Sequence, residues 1–400
     1  MLLLATFDAT AIPYARRAVA HIERFETHLI DVPTIRGHVL SMATMRSQSV
    51  VLVRVRFSDG SEGWGEGTTI GGLTYGPESP EGIRLTIETY LAPLLVGRDG
   101  DDVSGAIYRM ENAVKGNLIA KAAVETALWD GLGRRLGVPV AQLFGGAVTA
   151  RLPVAWTLAS GVSDTDIAEA REMIDAGRHN TFKLKIGTRA VADDVEHVAR
   201  IRAALGDGPG IRVDVNQAWS LTAARRGVRA LQDVGCDLVE QPLAARDLRG
   251  MAELTSGHEI AVMADEALGG PAAAQAVTVA RAADVLAVKV GPSGGVRRAA
   301  ETAAIGRAAG LGLYGGTMLE TGLGTAAALQ LFATLGPPDW GTEFFGPLLL
   351  AEEILTEPLT YTNFHVEVPQ GAGLGVTPDF DKLAFYDRDR RKTVAAVAGE

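Results

Sequence analysis

Residues 181–187 read TFKLKIG. The run alternates like a strand, with Phe182, Leu184 and Ile186 on one side and Lys183 and Lys185 on the other. Residues i and i+2 of an extended chain share a face, which sets the two ammonium groups roughly 6 to 7 Å apart. Two like charges on one apolar strand need opposing charges nearby, so the flanking strands are where to look for them.

From about residue 150 onward, strand-like runs alternate with alanine-rich amphipathic runs that end at glycine. They recur at intervals of roughly 23 to 30 residues, the period of βα units. The strand candidates span 152–160, 181–187, 211–217, 237–242, 260–267, 285–290, 312–317 and 340–346. Eight such units predict an α/β fold, a (β/α) barrel of the modified TIM type over residues 150–362. Residues 21–145 read differently, as strands HIERFETHLIDVPT and SVVLVRVRFSDGSEGWGEG with a DG turn, followed by helices. They predict an N-terminal α+β capping domain. Its glycine-rich run GEGTTIGGLTYG, residues 65–76, reads as a polar loop over the barrel mouth. Residues 1–20 are expected to be a loosely ordered leader, and residues 363–400 a tail packing back on the capping domain.

Composition narrows the partners. An apolar share of 47% supports a large core, and the net charge of -10 is spread along the chain, which disfavours nucleic acid and anionic membrane as partners. Cys236 is the only cysteine, which rules out an intrachain disulfide and fits a reducing cytoplasm. No apolar run reaches the 18 or so residues that a spanning helix needs. A small-molecule ligand is the remaining expectation.

Barrel chemistry sits at the C-terminal ends of the strands. There the third strand carries Asp214 and Asn216, the fourth Glu240 and the fifth Asp265 followed by Glu266. Any one of these acids is explained by a helix cap or an ion pair; acids on three successive strands are not. Bare, they repel, and an all-oxygen set without His or Cys suits Mg²⁺ or Mn²⁺. Asn216 shares a face with Asp214, as a supporting donor or a further ligand. Lys289 ends the sixth strand, across the barrel from Lys183 and Lys185. Burial beside a cation or another ammonium favours a neutral lysine, one able to move protons to and from carbon. Glu343, among Trp340, Phe344, Phe345 and leucines, is expected to hold its proton more tightly than usual. Glu320 is explained by capping the helix that follows it. A hard cation between lysines suits proton transfer at the carbon next to a carboxylate, through an enediolate.

The lysine pair, the three acids and the opposing lysine resemble the enolase superfamily, specifically its muconate lactonizing subgroup. The resemblance runs from about residue 27 and rests on long stretches, among them VPTIRGHVLSMATM, EGTTIGGLTYGPESPEGI, FKLKIG, RVDVNQAW, VMADEA, GLYGGTMLETGLGT and WGTEFFGPLLLAEEI. It implies Lys185 as the acid/base, Asp214, Glu240 and Asp265 as metal ligands, Lys289 across the ring and Glu343 as a further acid. It implies Ile70 and Phe345 as pocket walls, a homo-octamer, and the interconversion of cis,cis-muconate and muconolactone. Lys183 would then lower the pKa of Lys185 and add positive potential for a dicarboxylate substrate.

The leader and the loop VGPSGG, residues 290–295, depart from the pattern. Because that loop borders the expected site, chlorinated muconates stay open as substrates. Two related activities share the lysines and acids, o-succinylbenzoate synthesis and N-acylamino acid racemisation, but their pattern lacks WGTEFFGPLLL and TTIGG. A noncatalytic metal-binding barrel gives no reason for so many ionisable groups on inward strand ends.

Overall fold

Alternation of apolar residues builds the first unit. Strands β1 (Ile22–Val39), β2 (Thr44–Phe57) and β3 (Glu62–Thr68) form an antiparallel meander in that order. β2 and β3 are joined by the expected DG turn, with Gly60 at φ +81. The computed structural model describes residues 19–41 and 44–390, so the expected leader lies outside the described residues apart from Val19 and Ala20, as do residues 391–400 of the expected tail.

The helix Leu118–Leu136 lies directly on β3. A Cβ on Gly65 would stand 2.0 Å from the Ala123 carbonyl oxygen, and one on Gly63 2.1 Å from that of Ala127. The glycines of this GWGEG run therefore mark a backbone-to-backbone approach, and residues 65–68, the start of the expected loop 65–76, belong to the strand.

The second unit is a curled parallel sheet. Strands β4 (Arg151–Pro153), β5 (Trp156–Leu158), β6 (Thr181–Lys185), β7 (Gly210–Asp214), β8 (Leu238–Glu240), β9 (Ala261–Ala264), β10 (Val285–Val288) and β11 (Gly312–Gly315) follow in chain order. β5 to β11 pair in sequence order as seven parallel strands, while β4 pairs instead with β13 (His365–Glu367), which also pairs with β12 (Tyr361–Thr362). The helices between strands follow the 3.6 period: helix Leu221–Asp233 buries Ala224, Gly227, Val228 and Leu231, and Ser220 caps its start by accepting from Ala223 N–H.

The eighth expected strand is not a strand. Residues 340–346 contribute single parallel bridges from Thr342 to Val154 and to Gly315. Gly341 at φ +67 and the helical turn from Gly346 confine extended backbone to these few residues. The bridges link β11 to the segment just before β5.

The last described residues return to the first unit. Helix Phe380–Tyr386 sets the Phe380 ring 5.7 Å from that of Trp64, and Arg388 pairs with Asp31 at 2.5 Å. Among the described residues no helix is long and apolar enough to cross a membrane.

Candidate active site

Parallel register places the first three charged groups side by side. Lys185 pairs across from Asp214, and Asp214 from Glu240, so three neighbouring strands end abreast in a lysine and two carboxylates. Asp265 follows the end of β9 and Lys289 the end of β10. All of these strands end at the same mouth because they are parallel.

Lys183 and Lys185 do share a face: their Nζ atoms lie 3.7 Å and 2.6 Å from the same Asp214 Oδ2. Lys183 lies deeper, 1% exposed, and also binds Glu240 at 2.9 Å and Glu343. Lys289 binds Asp265 at 2.6 Å.

This geometry reverses the expectation of neutral lysines. Burial pulls the Lys183 and Lys289 ammoniums toward neutrality, but the surrounding carboxylates outweigh it. Glu240 and Glu343 hold Lys183 well above the usual lysine range, and Asp265 with Glu240 raises Lys289. Lys183 therefore serves the carboxylates as a fixed positive charge. Glu343, placed by sequence in an apolar pocket, is instead ion-paired with Lys183.

Do these residues fit a divalent cation? Five carboxylates, Asp214, Glu240, Asp265, Glu266 and Glu343, meet three ammoniums, so full ionisation leaves a formal charge of -2. Burial and repulsion from Asp214 push the Glu240 carboxyl well up, and burial with Asp265 lifts Glu266 to about 8. Glu240 Oε1 and Glu266 Oε2 are buried with no hydrogen-bond partner. Unpartnered oxygens in a site that is two negative charges in excess once all five acids are ionised fit a hard divalent cation, whose binding would displace those protons. Among the described residues, no three His, Cys, Asp or Glu side chains already stand as a coordinating group. The lysines occupy the carboxylates, and holding a cation requires that some of these contacts be exchanged.

Neighbouring residues fix the ligand candidates. Asn216 donates from its backbone to Asp214 Oδ1 at 2.8 Å and from Nδ2 to Asp214 Oδ2 and Glu266 Oε1 at 3.1 and 3.2 Å. Gln241 Oε1 accepts from the N–H of Asp265 at 3.0 Å and of Ala267 at 3.2 Å. Asn216 at φ +43 and Gln241 at φ +34 are left-handed without being glycine, the backbone strain that gathers at functional sites.

Above these groups is a small cavity of about 20 Å³, room for about one water molecule as the side chains stand. Its lining includes Lys185, Asp214, Asn216, Asp265, Lys289 and Glu343, together with Ile70 and Phe345; Lys183 and Glu240 lie beneath it. The structure adds His38, Leu40, Tyr75, Thr157, Thr317 and Leu319. Burial, with Lys185, Arg36 and Lys183 close by, pushes His38 well below the usual histidine range, so its imidazole is neutral. Tyr75 donates its hydroxyl hydrogen to Asp265 Oδ2 at 2.8 Å and accepts from Lys289 Nζ at 2.7 Å. Its place in the glycine-rich loop was the one sequence signal for it. His38 reaches the mouth from the cap sheet, and its place in the stretch VPTIRGHVLSMATM was its one signal.

Two further expectations change. Glu320 does not cap the next helix; it turns back to accept from Thr317 Oγ1 and from Met318 N–H, while Thr321 and the cap's Glu66 serve the helix start. In the loop VGPSGG, Val290–Ser293 form one helical turn, and its Pro292 borders a neighbouring cavity. Of that strand end, Lys289 is what reaches the site.

Residues 24–145 match the family "Mandelate racemase / muconate lactonizing enzyme, N-terminal domain", and residues 165–382 match "Enolase C-terminal domain-like". The chain is 55% identical over 371 residues to muconate cycloisomerase 1-2 of Acinetobacter lwoffii, covering 93% of this chain and 96% of that protein. It is 50% identical to muconate cycloisomerase 1 of Acinetobacter baylyi, covering 90% and 97%. The crystal structure of muconate lactonizing enzyme from Pseudomonas fluorescens complexed with muconolactone superposes with a TM-score of 0.92 at 49% identity, covering 92% of this chain and all of that one. With both of its units matched, the chain belongs to the mandelate racemase / muconate lactonizing enzyme family of the enolase superfamily, whose members use a divalent metal.

Proposed function

We propose that this protein is a muconate cycloisomerase, an isomerase that interconverts cis,cis-muconate and muconolactone in the breakdown of catechol. The observation that carries the reading is the mouth itself: Lys185 lines it beside Asp214, while Lys289 stands with Asp265 on the other side. Relatives bearing that name at 50–55% identity over nearly their whole length support it.

In this reading one substrate carboxylate faces Asp214, Glu240 and Asp265, and the other adds across a double bond to close the lactone. Lys185 Nζ delivers a proton to the carbon next to the first carboxylate, and removes it in the reverse direction. Lys183, held charged by Glu240 and Glu343, keeps the mouth positive toward a dianion. Ile70 and Phe345 form apolar walls along the hydrocarbon chain. Asp214, Glu240 and Asp265 would hold Mg²⁺ or Mn²⁺, which supplies a Lewis acid opposite the charge that develops on the carboxylate. By family resemblance the protein is a cytoplasmic homo-octamer, which light scattering of the purified chain tests.

The deciding experiment gives the purified protein cis,cis-muconate in D₂O and follows the products by NMR. Muconolactone carrying one solvent deuterium next to its carboxylate is the expected product. Turnover of o-succinylbenzoate precursor or 3-chloromuconate in preference to muconate would displace the reading.

A further inference from the structure

The cavity wall formed by Leu319 rests on a backbone that leucine disfavours. Leu319 stands at φ +61 and is 3% exposed, beside Leu40, Ile70 and Phe345 in the lining. A side chain larger than glycine keeps such a conformation only where its surroundings over-determine it. Within the loop, Leu319 N–H donates to Thr317 Oγ1 at 2.8 Å, and Met318 N–H to Glu320 at 2.9 Å. The carbonyls of Met318 and Leu319 are held from outside the barrel. Both accept from the side-chain Nε2 of Gln48, at 2.8 and 3.0 Å.

Gln48 belongs to β2 of the cap and is 1% exposed. On the adjacent β3, Glu66 holds the other end of the same loop, accepting from Thr321 N–H at 2.9 Å and Gly324 N–H at 2.8 Å. The cap thus grips the loop after β11 at both ends. An amide nitrogen carries two hydrogens, one for each carbonyl, whereas a carboxylate at this position would face the two oxygens with a third.

We propose that Gln48 is a positioning residue for the substrate: it clamps the carbonyls of Met318 and Leu319, fixes Leu319 in its left-handed conformation, and so sets the shape of the cavity wall. Gln48 touches no reacting atom. Its effect falls on how well the substrate is held, while the proton-transfer groups below keep their places. The kinetic side of this inference rests on the cycloisomerase reading; the conformational side does not.

The test uses the full-length, metal-loaded protein with cis,cis-muconate. Gln48→Leu and Gln48→Glu should each raise KM about tenfold while kcat changes by less than about threefold, the loss expected for two buried hydrogen bonds. In a Leu319→Asn background, where asparagine tolerates the left-handed region, Gln48→Leu should change KM by less than about twofold. A crystal structure of Gln48→Leu should show Leu319 out of the left-handed region. An unchanged KM in both Gln48 variants, the same tenfold effect in the Leu319→Asn background, or a Leu319 that stays at positive φ without Gln48 would each overturn the proposal. Failure of the unaltered protein to turn over muconate would sink the functional reading alone, leaving the conformation of Leu319 in Gln48→Leu to decide the clamp.

Discussion

At the scale of single residues, the lysine pair divides into two roles set by depth. Lys183 is 1% exposed and bound to Glu240 and Glu343, whereas Lys185 reaches the cavity lining beside Asp214. In the reaction proposed above Lys185 carries the proton, and its loss removes general acid–base catalysis, worth about 10²–10⁴-fold. Lys185→Ala should therefore lower kcat by at least that factor and abolish deuterium incorporation from solvent, followed by NMR. Lys183→Met should act differently, leaving Glu240 and Glu343 buried without their ammonium. The cost of an uncompensated buried charge is about 3–5 kcal/mol, measured as loss of unfolding free energy in denaturant. Equal stability of Lys183→Met and the parent protein would contradict the buried ion pairs. The residue types at these positions were legible in the sequence. Their protonation was not, because it depends on carboxylates that strands far apart in the chain bring to one lysine.

At the scale of elements, buried carboxylates from the cap serve as caps for barrel helices. Glu125, on helix Leu118–Leu136, accepts from Val296 N–H at 2.6 Å and Arg297 N–H at 3.0 Å, at the start of helix Val296–Ala308. Glu66 does the same for helix Gly322–Leu335. A side chain from another unit thereby satisfies donors that a helix leaves free at its own start. Glu125→Ala should cost about 1–3 kcal/mol of stability by thermal unfolding, since it strips the buried Val296 N–H and the part-buried Arg297 N–H of their acceptor. Gly65→Ala tests packing in the other direction: its Cβ would lie 2.0 Å from the Ala123 carbonyl oxygen. Overpacking of this kind costs about 1–3 kcal/mol or more, and a Gly65→Ala protein as stable as the parent would show that β3 can retreat from the helix.

At the scale of the whole molecule, burial of acids sets how stability depends on pH. Burial lifts Glu125 from 4.5 to about 7, so the folded state holds its proton over a range where the unfolded chain has lost it. The folded state then binds more protons, and stability falls as pH rises between about 4.5 and about 7. Glu125→Gln does not titrate, so its stability, measured by denaturant unfolding across that range, should fall less steeply than that of the parent protein. The metal site couples to stability by mass action. A divalent cation held by the carboxylates that the fold brings together would bind the folded state alone, so saturation at 100 times Kd should add about 2.7 kcal/mol, read as a raised Tm. A chelator should remove both that increment and the turnover of muconate, and restored metal should return both.

The sequence by itself determined the periodic βα organisation, the charged residues at the strand ends and the split between a cap and a barrel, because strand alternation and helix periodicity are local properties of the chain. It overcounted the strands, since residues 340–346 have a strand's composition while Gly341 and the turn from Gly346 leave them only single bridges. Only the tertiary structure decided that Lys183 is a charge held by carboxylates, that His38 and Tyr75 enter the site, and that Gln48 of the cap holds Leu319 of the barrel. These are pairings across the fold. The free energy of a buried charge or an unpaired carbonyl is set by whatever stands next to it in space, and neighbours in sequence carry no record of that.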